Sequence, residues 1–258
     1  MRAVILAAGR GGRLQGVTGE HPKCLARIGD RTLLERQIEA LHAAGISQVT
    51  VVVGYGADEV RQACSRHADF VENPGYASTN SLYSLWIARE LLHEGFIVLN
   101  CDVLFHTQMI QDLLTARVED ALLVSARRNG AAYGDEEMRV CIRRGLVMDI
   151  AKTLPDEASD AENIGIARFG PDGAALLIEE MSRFVSGGHV REWLPRAFAA
   201  FAALRPLHAV DSRGFPWIEI DFPEDYWRAC REVLPAIEAD RLRAANLGPA
   251  AGRTLSHV

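Results

Sequence analysis

Lysine is scarce in this 258-residue sequence: of its 28 lysines and arginines, only Lys23 and Lys152 are lysines. The net charge is −6 and the isoelectric point is near 5.8, which argues against a nucleic-acid surface, because phosphate neutralisation needs a basic face. No apolar run reaches the roughly 20 residues that span a membrane, and Met1-Arg2 leads straight into a strand pattern without a signal peptide. We therefore expect a cytoplasmic protein without nucleic-acid or membrane partners.

The cysteine pattern excludes two further classes of protein. The five cysteines are odd in number and scattered, without a Cys-x-x-Cys pair, so neither a disulfide framework nor a zinc site is predicted. We expect reduced, mostly buried thiols. The cysteines are Cys24, Cys64, Cys101, Cys141 and Cys230.

What the sequence does have is a glycine-rich loop behind a buried strand. An apolar run from Ala3 ends at Ala8-Gly9 and opens into a loop with Gly11, Gly12 and Arg13. Glycines let the backbone approach an anion and aim its N–H groups at it, so this pattern predicts a phosphate-binding turn. The spacing fits neither a Walker motif nor a dinucleotide fingerprint. The candidate binding residues are Leu6, Ala7, Ala8, Gly9, Gly11, Gly12, Arg13 and Lys23.

The two lysines are candidates for phosphate binding, because a compact ammonium differs from the guanidinium that the chain uses elsewhere. Lys23 follows the glycine loop in Pro22-Lys23-Cys24-Leu25. Lys152 lies in no motif, and for it the alternative explanation is that a lysine occurs there by chance in an arginine-rich sequence.

Short apolar strands alternate with amphipathic helices through residue 120, which predicts an α/β fold with a mainly parallel sheet and ligands at the carboxyl ends of its strands. We expect helices over 81–92 and 189–203, and a helix capped by Thr107. From Ala121 strands no longer alternate regularly with helices, and Arg143-Arg144-Gly145 predicts a hairpin. We expect one domain over 1–245, with a nucleotide-binding half (1–120), an acceptor-binding half (121–222), a C-terminal helix (223–245) and a loose tail (246–258).

Three acids could hold a divalent cation. Asp102 ends a buried strand, where its carboxylate would face the ligand crevice, and an N-cap is the alternative. Glu219 and Asp221 alternate with isoleucines, so both point to one face of a strand, and a solvated strand edge is the alternative. Mg²⁺ binds one or two carboxylates together with substrate phosphates, which predicts a magnesium site.

Leu6-Ala-Ala-Gly-Arg-Gly-Gly-Arg-Leu14 followed by Pro22-Lys23-Cys-Leu25 resembles the signature of the nucleotidyltransferases that make NDP-sugars and CDP-alcohols. The resemblance implies a Rossmann-like, GT-A-like three-layer sandwich with a small β-rich acceptor insertion. It also implies an NTP on the loop, with Lys23 neutralising its phosphates and Mg²⁺ on Asp102 and on the Trp217-Ile-Glu-Ile-Asp221 segment. Gly12 departs from the family pattern, which usually has Ser or Thr there.

The stretch from Glu72 to Leu85 is similar to bacterial choline-phosphate and phosphonate cytidylyltransferases, and so is Tyr133 to Val140. This resemblance implies CTP as the nucleotide. It makes Asn80 and Ser81 nucleotide-binding candidates, although Asn80 could equally cap its helix. Asp135 and Glu136 form an acidic pair which, near an aromatic ring such as Trp217 or Tyr133, would suit a cationic head group. The acceptor-binding candidates are Tyr133, Asp135, Glu136, Lys152 and Trp217.

The sequence and the resemblance together predict an Mg²⁺-dependent cytidylyltransferase that joins CTP to phosphocholine or a small aminoalkyl phosphonate. Lys23, Arg13 and Lys152 are the catalytic candidates, the first two on the nucleotide phosphates and Lys152 on the acceptor phosphate. One alternative is a sugar-1-phosphate or inositol-phosphate nucleotidyltransferase; another is a nucleotide-binding regulatory module without turnover. The partners are then small molecules, and a homodimer is compatible with the sequence.

Overall fold

A computed structural model describes residues 1–64, 66–126 and 137–246 of the chain. The described part has thirteen strands, which are β1 Arg2–Ala7, β2 Arg27–Ile28, β3 Arg31–Thr32, β4 Val49–Val53, β5 Asp69–Glu72, β6 Phe96–Asn100, β7 Val103–Phe105, β8 Ala121–Ala126, β9 Arg139–Arg143, β10 Leu146–Ala151, β11 Ala161–Phe169, β12 His208–Asp211 and β13 Trp217–Glu219. Its helices are α1 Gln15–Thr18, α2 Leu33–Ala43, α3 Ala57–Cys64, α4 Ser81–Ile87, α5 Thr107–Thr115, α6 Pro171–Ser186, α7 Leu194–Ala202, α8 Pro223–Arg228 and α9 Leu234–Asn246.

Nine strands form one mixed sheet in the order β5-β4-β1-β6-β11-β8-β12-β10-β9. The four strands from the first 120 residues, β5, β4, β1 and β6, run parallel to one another. The next strand in the sheet, β11, runs antiparallel to both β6 and β8. The sheet ends on β5 at one side, whereas β9 at the other side pairs with β10 and also with β11. Two small ribbons, β7–β13 and β2–β3, lie apart from this sheet.

Helices cover both faces of the sheet, because the side chains of its buried strands alternate between two apolar layers. On β1, Val4 and Leu6 face the layer that holds α4, α6 and α7, and Ala3 and Ile5 face the layer that holds α2, α3 and α5. A third apolar cluster joins the C-terminal helices to β2, β7 and β13. The predicted three-layer α/β sandwich is therefore confirmed. Its sheet is mixed: the strands from the first 120 residues are parallel as predicted, and β9, β10 and β11 add antiparallel pairs.

Local signals account for several element boundaries. Thr32 caps α2 in a capping box with Glu35. The predicted hairpin is confirmed as β9–β10. The predicted helix over 189–203 begins only at Leu194, since Pro195 suits the first turn of a helix.

Two other helix predictions need correction. The helix predicted over 81–92 ends at Ile87 and continues as a 3-10 turn over Arg89–Leu91. Thr107 does not cap α5: His106 does, and its Nδ1 accepts a hydrogen bond from the backbone N–H of Gln108 at 3.1 Å. In the C-terminal region, α8 and α9 are joined by a π-helical turn over Ala229–Val233. No helix among the described residues is long and apolar enough to span a membrane.

Candidate active site

The glycine loop after β1 packs directly against Lys23. Gly11 has a φ of 64°, and a Cβ added there would lie 2.5 Å from the Cβ of Lys23. A side chain at position 11 would therefore be strained and would push Lys23 away. The next glycine, Gly12, is different, since nothing lies within 4 Å of its added Cβ.

Lys23 begins a 3-10 turn, and its side chain is almost fully buried. Its Nζ donates hydrogen bonds to Oδ2 of Asp102 at 3.0 Å and to Oδ1 of Asp221 at 2.6 Å. Burial disfavours the ammonium, but the two carboxylates more than offset burial and raise the pKa of Lys23. Lys23 is therefore charged at neutral pH and bridges two acids that lie 119 residues apart in sequence.

The β7–β13 ribbon brings these two acids together. Glu219 pairs with Val103, and the backbone N–H of Ile220 donates to the carbonyl of Asp102 at 2.9 Å. Asp221 follows immediately, and its Oδ2 pairs with Nη2 of Arg13 at 2.9 Å. Two regions that are distant in sequence thus present their carboxylates to the glycine loop.

Glu219 completes this group, which we call the carboxylate cluster: Arg13, Lys23, Asp102, Glu219 and Asp221. Burial raises the pKa of Glu219 well above its ordinary value, and the neighbouring Asp102 and Asp221 raise it further. A carboxyl in this position would lose its proton more readily if additional positive charge were brought near.

The cluster fits a divalent cation only together with substrate. No group of three or more His, Cys, Asp or Glu side chains in the described ranges is arranged to hold a metal by itself. However, Mg²⁺ is usually held by one or two carboxylates plus phosphate oxygens and water. Oδ1 of Asp102 is buried and has no hydrogen-bond partner among the described residues, so it offers an unused ligand atom. Asp102 and Asp221 therefore fit a cation that a bound nucleotide would help to hold.

Asp225, in the same C-terminal segment, has a structural role. Its Oδ2 accepts hydrogen bonds from the backbone N–H groups of Asp221 and Phe222 at 3.2 and 3.0 Å. Asp225 lies in the first turn of α8, and its two hydrogen bonds fix the backbone that carries Asp221.

The carboxylate cluster lines a cavity of about 340 Å³. Most of the predicted binding residues line it as well. Those outside the carboxylate cluster are Leu6, Ala8, Gly9, Gly11, Gly12, Asn80, Ser81 and Lys152. Asn80 also caps α4, since its side chain accepts a hydrogen bond from the backbone N–H of Ser81 at 2.8 Å.

Residues after position 120 add what we call the second-half wall: Met138, Lys152, Asn163 and Trp193. Nζ of Lys152 lies 5.3 Å from the centre of the Trp193 ring, within the range of a cation–π contact. Trp193 is 51% exposed, so a large part of its ring is available to a ligand. Sequence reasoning misses Trp193, because Trp193 falls inside the helix predicted over 189–203 and no motif marks it.

Asn163 reaches the cavity because β11 is irregular there. The register of β11 against β8 shifts between Asn163 and Ala167, and Gly165 has a φ of 79°. A Cβ at Gly165 would lie 2.6 Å from Nδ2 of Asn100, which also lines the cavity. The absence of a side chain at Gly165 thus leaves room for the side chain of Asn100. A lone glycine within a strand pattern was the only sequence signal for this feature.

Other predicted site residues lie elsewhere. Trp217 packs against the apolar layer of α2 and α5 and is absent from the cavity lining, whereas Trp193 lines the cavity. Ala7 is buried in the same apolar layer as Trp217, on the face of the sheet opposite Leu6 and Ala8. Tyr133, Asp135 and Glu136 lie outside the described residues, and their predicted role stays a prediction.

The chain belongs to the family of MobA-like NTP transferase domains, which matches residues 3–217. It is 34% identical to a bifunctional IPC transferase and DIPP synthase of Rubrobacter xylanophilus, over 86% of this chain and 50% of that protein. It is also 34% identical to a CMP-5'-(3-aminopropyl)phosphonate synthase of Streptomyces rubellomurinus, over 94% of this chain and 40% of that protein. The predicted family is thereby confirmed, although the chain spans half or less of these relatives' lengths.

A solved structure supports the same assignment. The CTP:phosphocholine cytidylyltransferase of Streptococcus pneumoniae superposes with a TM-score of 0.76 and 25% identity, over 89% of this chain and 97% of that one.

Proposed function

We propose that the chain is an Mg²⁺-dependent cytidylyltransferase that joins CTP to a small phosphate or phosphonate acceptor and releases pyrophosphate. The observation that carries the proposal is the arrangement of Lys23, which bridges Asp102 and Asp221 beside the glycine loop. Positive charge, a glycine turn and a pair of carboxylates in one cavity are what the transfer of a nucleotidyl group requires.

In this proposal an oxygen of the acceptor phosphate or phosphonate attacks the α-phosphorus of CTP in line. The new phosphorus–oxygen bond forms as the bond from the α-phosphorus to the bridging oxygen breaks, and that oxygen leaves on pyrophosphate. No nucleophile from the protein is required. Positioning and charge neutralisation supply the rate.

The side chains divide this task. Arg13 and Lys23 would exchange the Asp221 carboxylate for oxygens of the β- and γ-phosphates when nucleotide binds. Lys152 would attract the acceptor phosphate from the second-half wall. Asp102 and Asp221, with Glu219 beside them, would hold Mg²⁺, which when bound neutralises charge on the triphosphate.

For the acceptor we propose phosphocholine or a small aminoalkyl phosphonate such as 2-aminoethylphosphonate. Two relatives support this choice by name, the aminopropylphosphonate synthase and the phosphocholine cytidylyltransferase. The exposed ring of Trp193 in the cavity wall supports it physically, because an aromatic face attracts an ammonium group.

The test is pyrophosphate release with Mg²⁺, in which CTP, UTP, GTP, ATP and dTTP are each combined with phosphocholine, 2-aminoethylphosphonate, inositol phosphate and glucose-1-phosphate. Release with CTP and one amino-bearing acceptor supports the proposal. Release only with inositol phosphate or a sugar phosphate would support the proposed reaction but contradict the proposed acceptor. Binding of nucleotide without release for any acceptor favours a regulatory module. An Asp102→Asn variant controls for contaminating activity.

A further inference from the structure

A buried amide lies beneath the turn that carries Asp102. Gln37 on α2 is only 1% exposed, although the face of α2 around it is apolar. Its Nε2 donates two hydrogen bonds, to the carbonyl of Asn100 at 2.9 Å and to the carbonyl of Val103 at 2.8 Å. These two carbonyls flank the dipeptide Cys101-Asp102 on either side.

Packing alone does not explain a glutamine at this position. Burying a carboxamide costs free energy unless its polar atoms find partners, and a leucine or methionine would fill the space without that cost. Oε1 of Gln37 has no hydrogen-bond partner among the described residues, so the side chain is used for its two donors. Its contacts are therefore specific to the peptide groups around Asp102.

A second hydrogen bond holds the same turn from the other side. The backbone N–H of Ile220 donates to the carbonyl of Asp102 at 2.9 Å, which ties the turn to the segment that carries Asp221. With Gln37 below and Ile220 beside it, the backbone of Asp102 is fixed on two sides. Its Oδ1 stays buried without a partner among the described residues, and Asp102 itself lines the cavity.

We propose that Gln37 is a positioning residue: its amide holds the turn from Asn100 to Val103 so that the Asp102 carboxylate meets both Lys23 and a divalent cation. This inference rests on the proposed function where it concerns the cation, but its structural part does not. Groups that orient a metal ligand typically change metal affinity by about 10- to 100-fold when they are removed.

The experiment replaces the amide by an apolar side chain of similar length, Gln37→Met. The matched control is Leu41→Ala, because Leu41 lies on the same helix and is fully buried but makes no hydrogen bond to this turn. Urea unfolding measures the stability of both variants. Gln37→Asn, which keeps the amide but is one methylene shorter, serves if Gln37→Met does not fold.

Two readouts then separate positioning from stability. Amide hydrogen exchange at Ile220, followed by NMR, should accelerate in Gln37→Met by about tenfold more than the loss of global stability measured in urea accounts for. In Leu41→Ala the lost stability alone should account for any acceleration. Mn²⁺ binding in the presence of CTP, followed by electron paramagnetic resonance, should weaken by about 10- to 100-fold in Gln37→Met and much less in Leu41→Ala.

Exchange at Ile220 in Gln37→Met that is no faster than its lost global stability accounts for would overturn the proposal, and so would faster exchange with unchanged Mn²⁺ affinity. Failure of the wild-type protein to bind Mn²⁺ with CTP would instead contradict the proposed function. In that case the exchange measurement would still decide whether Gln37 holds the turn.

Discussion

The carboxylate cluster and the second-half wall line one cavity but are built differently. In the carboxylate cluster, Lys23 and Arg13 are already paired with acids, so charge is neutralised within the protein. The second-half wall has an exposed aromatic ring and a lysine that lies over it. In the first region a ligand must replace ion pairs, whereas the second region includes an exposed aromatic ring that a ligand can cover. We therefore expect substitutions in the first to change turnover and substitutions in the second to change acceptor affinity.

The largest expected contrast is between the two lysines. Lys23→Met should lower kcat by on the order of 100-fold or more, by comparison with the loss of an oxyanion-hole donor. Lys152→Met should instead raise KM for the acceptor by about tenfold, as the loss of one charge-assisted hydrogen bond predicts. Steady-state kinetics with CTP and acceptor varied separately measures both effects.

A near-normal kcat in Lys23→Met would contradict the role of Lys23. A thermal melt gives an independent check, because Asp102 and Asp221 lose their ammonium partner in this variant. Mg²⁺ should then raise Tm more in Lys23→Met than in the wild-type protein.

The two tryptophans sharpen the comparison. Trp217→Ala should lower the free energy of unfolding by about 3 kcal/mol, because the ring packs against the core. Trp193→Ala should change stability by less than about 1 kcal/mol, since half of this ring is exposed, but should raise KM for an amino-bearing acceptor. Chemical denaturation of both variants measures the two stability changes, and steady-state kinetics with the acceptor varied measures the change in KM. Unchanged acceptor kinetics in Trp193→Ala would remove Trp193 from the site.

The adjacent glycines of the loop form a natural pair. Gly11→Ala should lower the free energy of unfolding by about 2 kcal/mol, because φ is positive and the new Cβ meets Lys23. Gly12→Ala should stay within about 0.5 kcal/mol, since its Cβ points into open space. Urea unfolding measures both, and equal losses would mean that the loop is not held against Lys23.

The smallest expected effect is a pH dependence from the second half. Burial, with a contribution from Glu137, raises the pKa of Glu162 to about 7. A raised carboxyl pKa favours the folded state below the ordinary value near 4.5, and this stabilisation is lost as pH rises through 7.

Glu162→Gln should therefore stabilise the protein at pH 8 but not at pH 4. The full shift corresponds to about 3 kcal/mol, and solvent screening of a partly exposed carboxyl reduces the expected gain to about 1 kcal/mol. Urea unfolding at both pH values measures the gain, with Glu157→Gln as the control at an exposed acid. A gain of equal size at both pH values would contradict this account.

The sequence predicted the part of the site that is set by backbone geometry. Gly11 and Lys23 lie close along the chain and have to fit each other, so the requirement is visible as a motif. The alternation of Glu219 and Asp221 with isoleucines likewise predicted two acids on one face, and both line the cavity.

Trp217 was expected near the acceptor because of its aromatic ring, but it does not line the cavity. Trp217 and Glu219 are two residues apart and therefore lie on the same face of the strand. A strand advances about 3.3 Å per residue, so Trp217 lies about 7 Å from Glu219 along the strand. It pairs with Phe105, whereas Glu219 pairs with Val103, next to Asp102. The alternation pattern predicts on which face of a strand a side chain lies, but not where along the strand it lies. Trp193 and Asn163 come from segments that tertiary packing brings to the cavity, and no local pattern specifies that.

The edges of the main sheet have a consequence for self-association. β9 pairs with β11 at Arg139 and Val140 only, whereas β5 is open along its whole length at the other edge of this sheet in the described part of the chain. β5 is only four residues long and has an acid at each end, with Asp69 paired to Arg2 and Glu72 paired to Arg61. Short, charged edge strands resist pairing with a second chain. Growth of the sheet from one molecule into the next is disfavoured at β5, so an assembly of this chain would instead use side-chain surfaces.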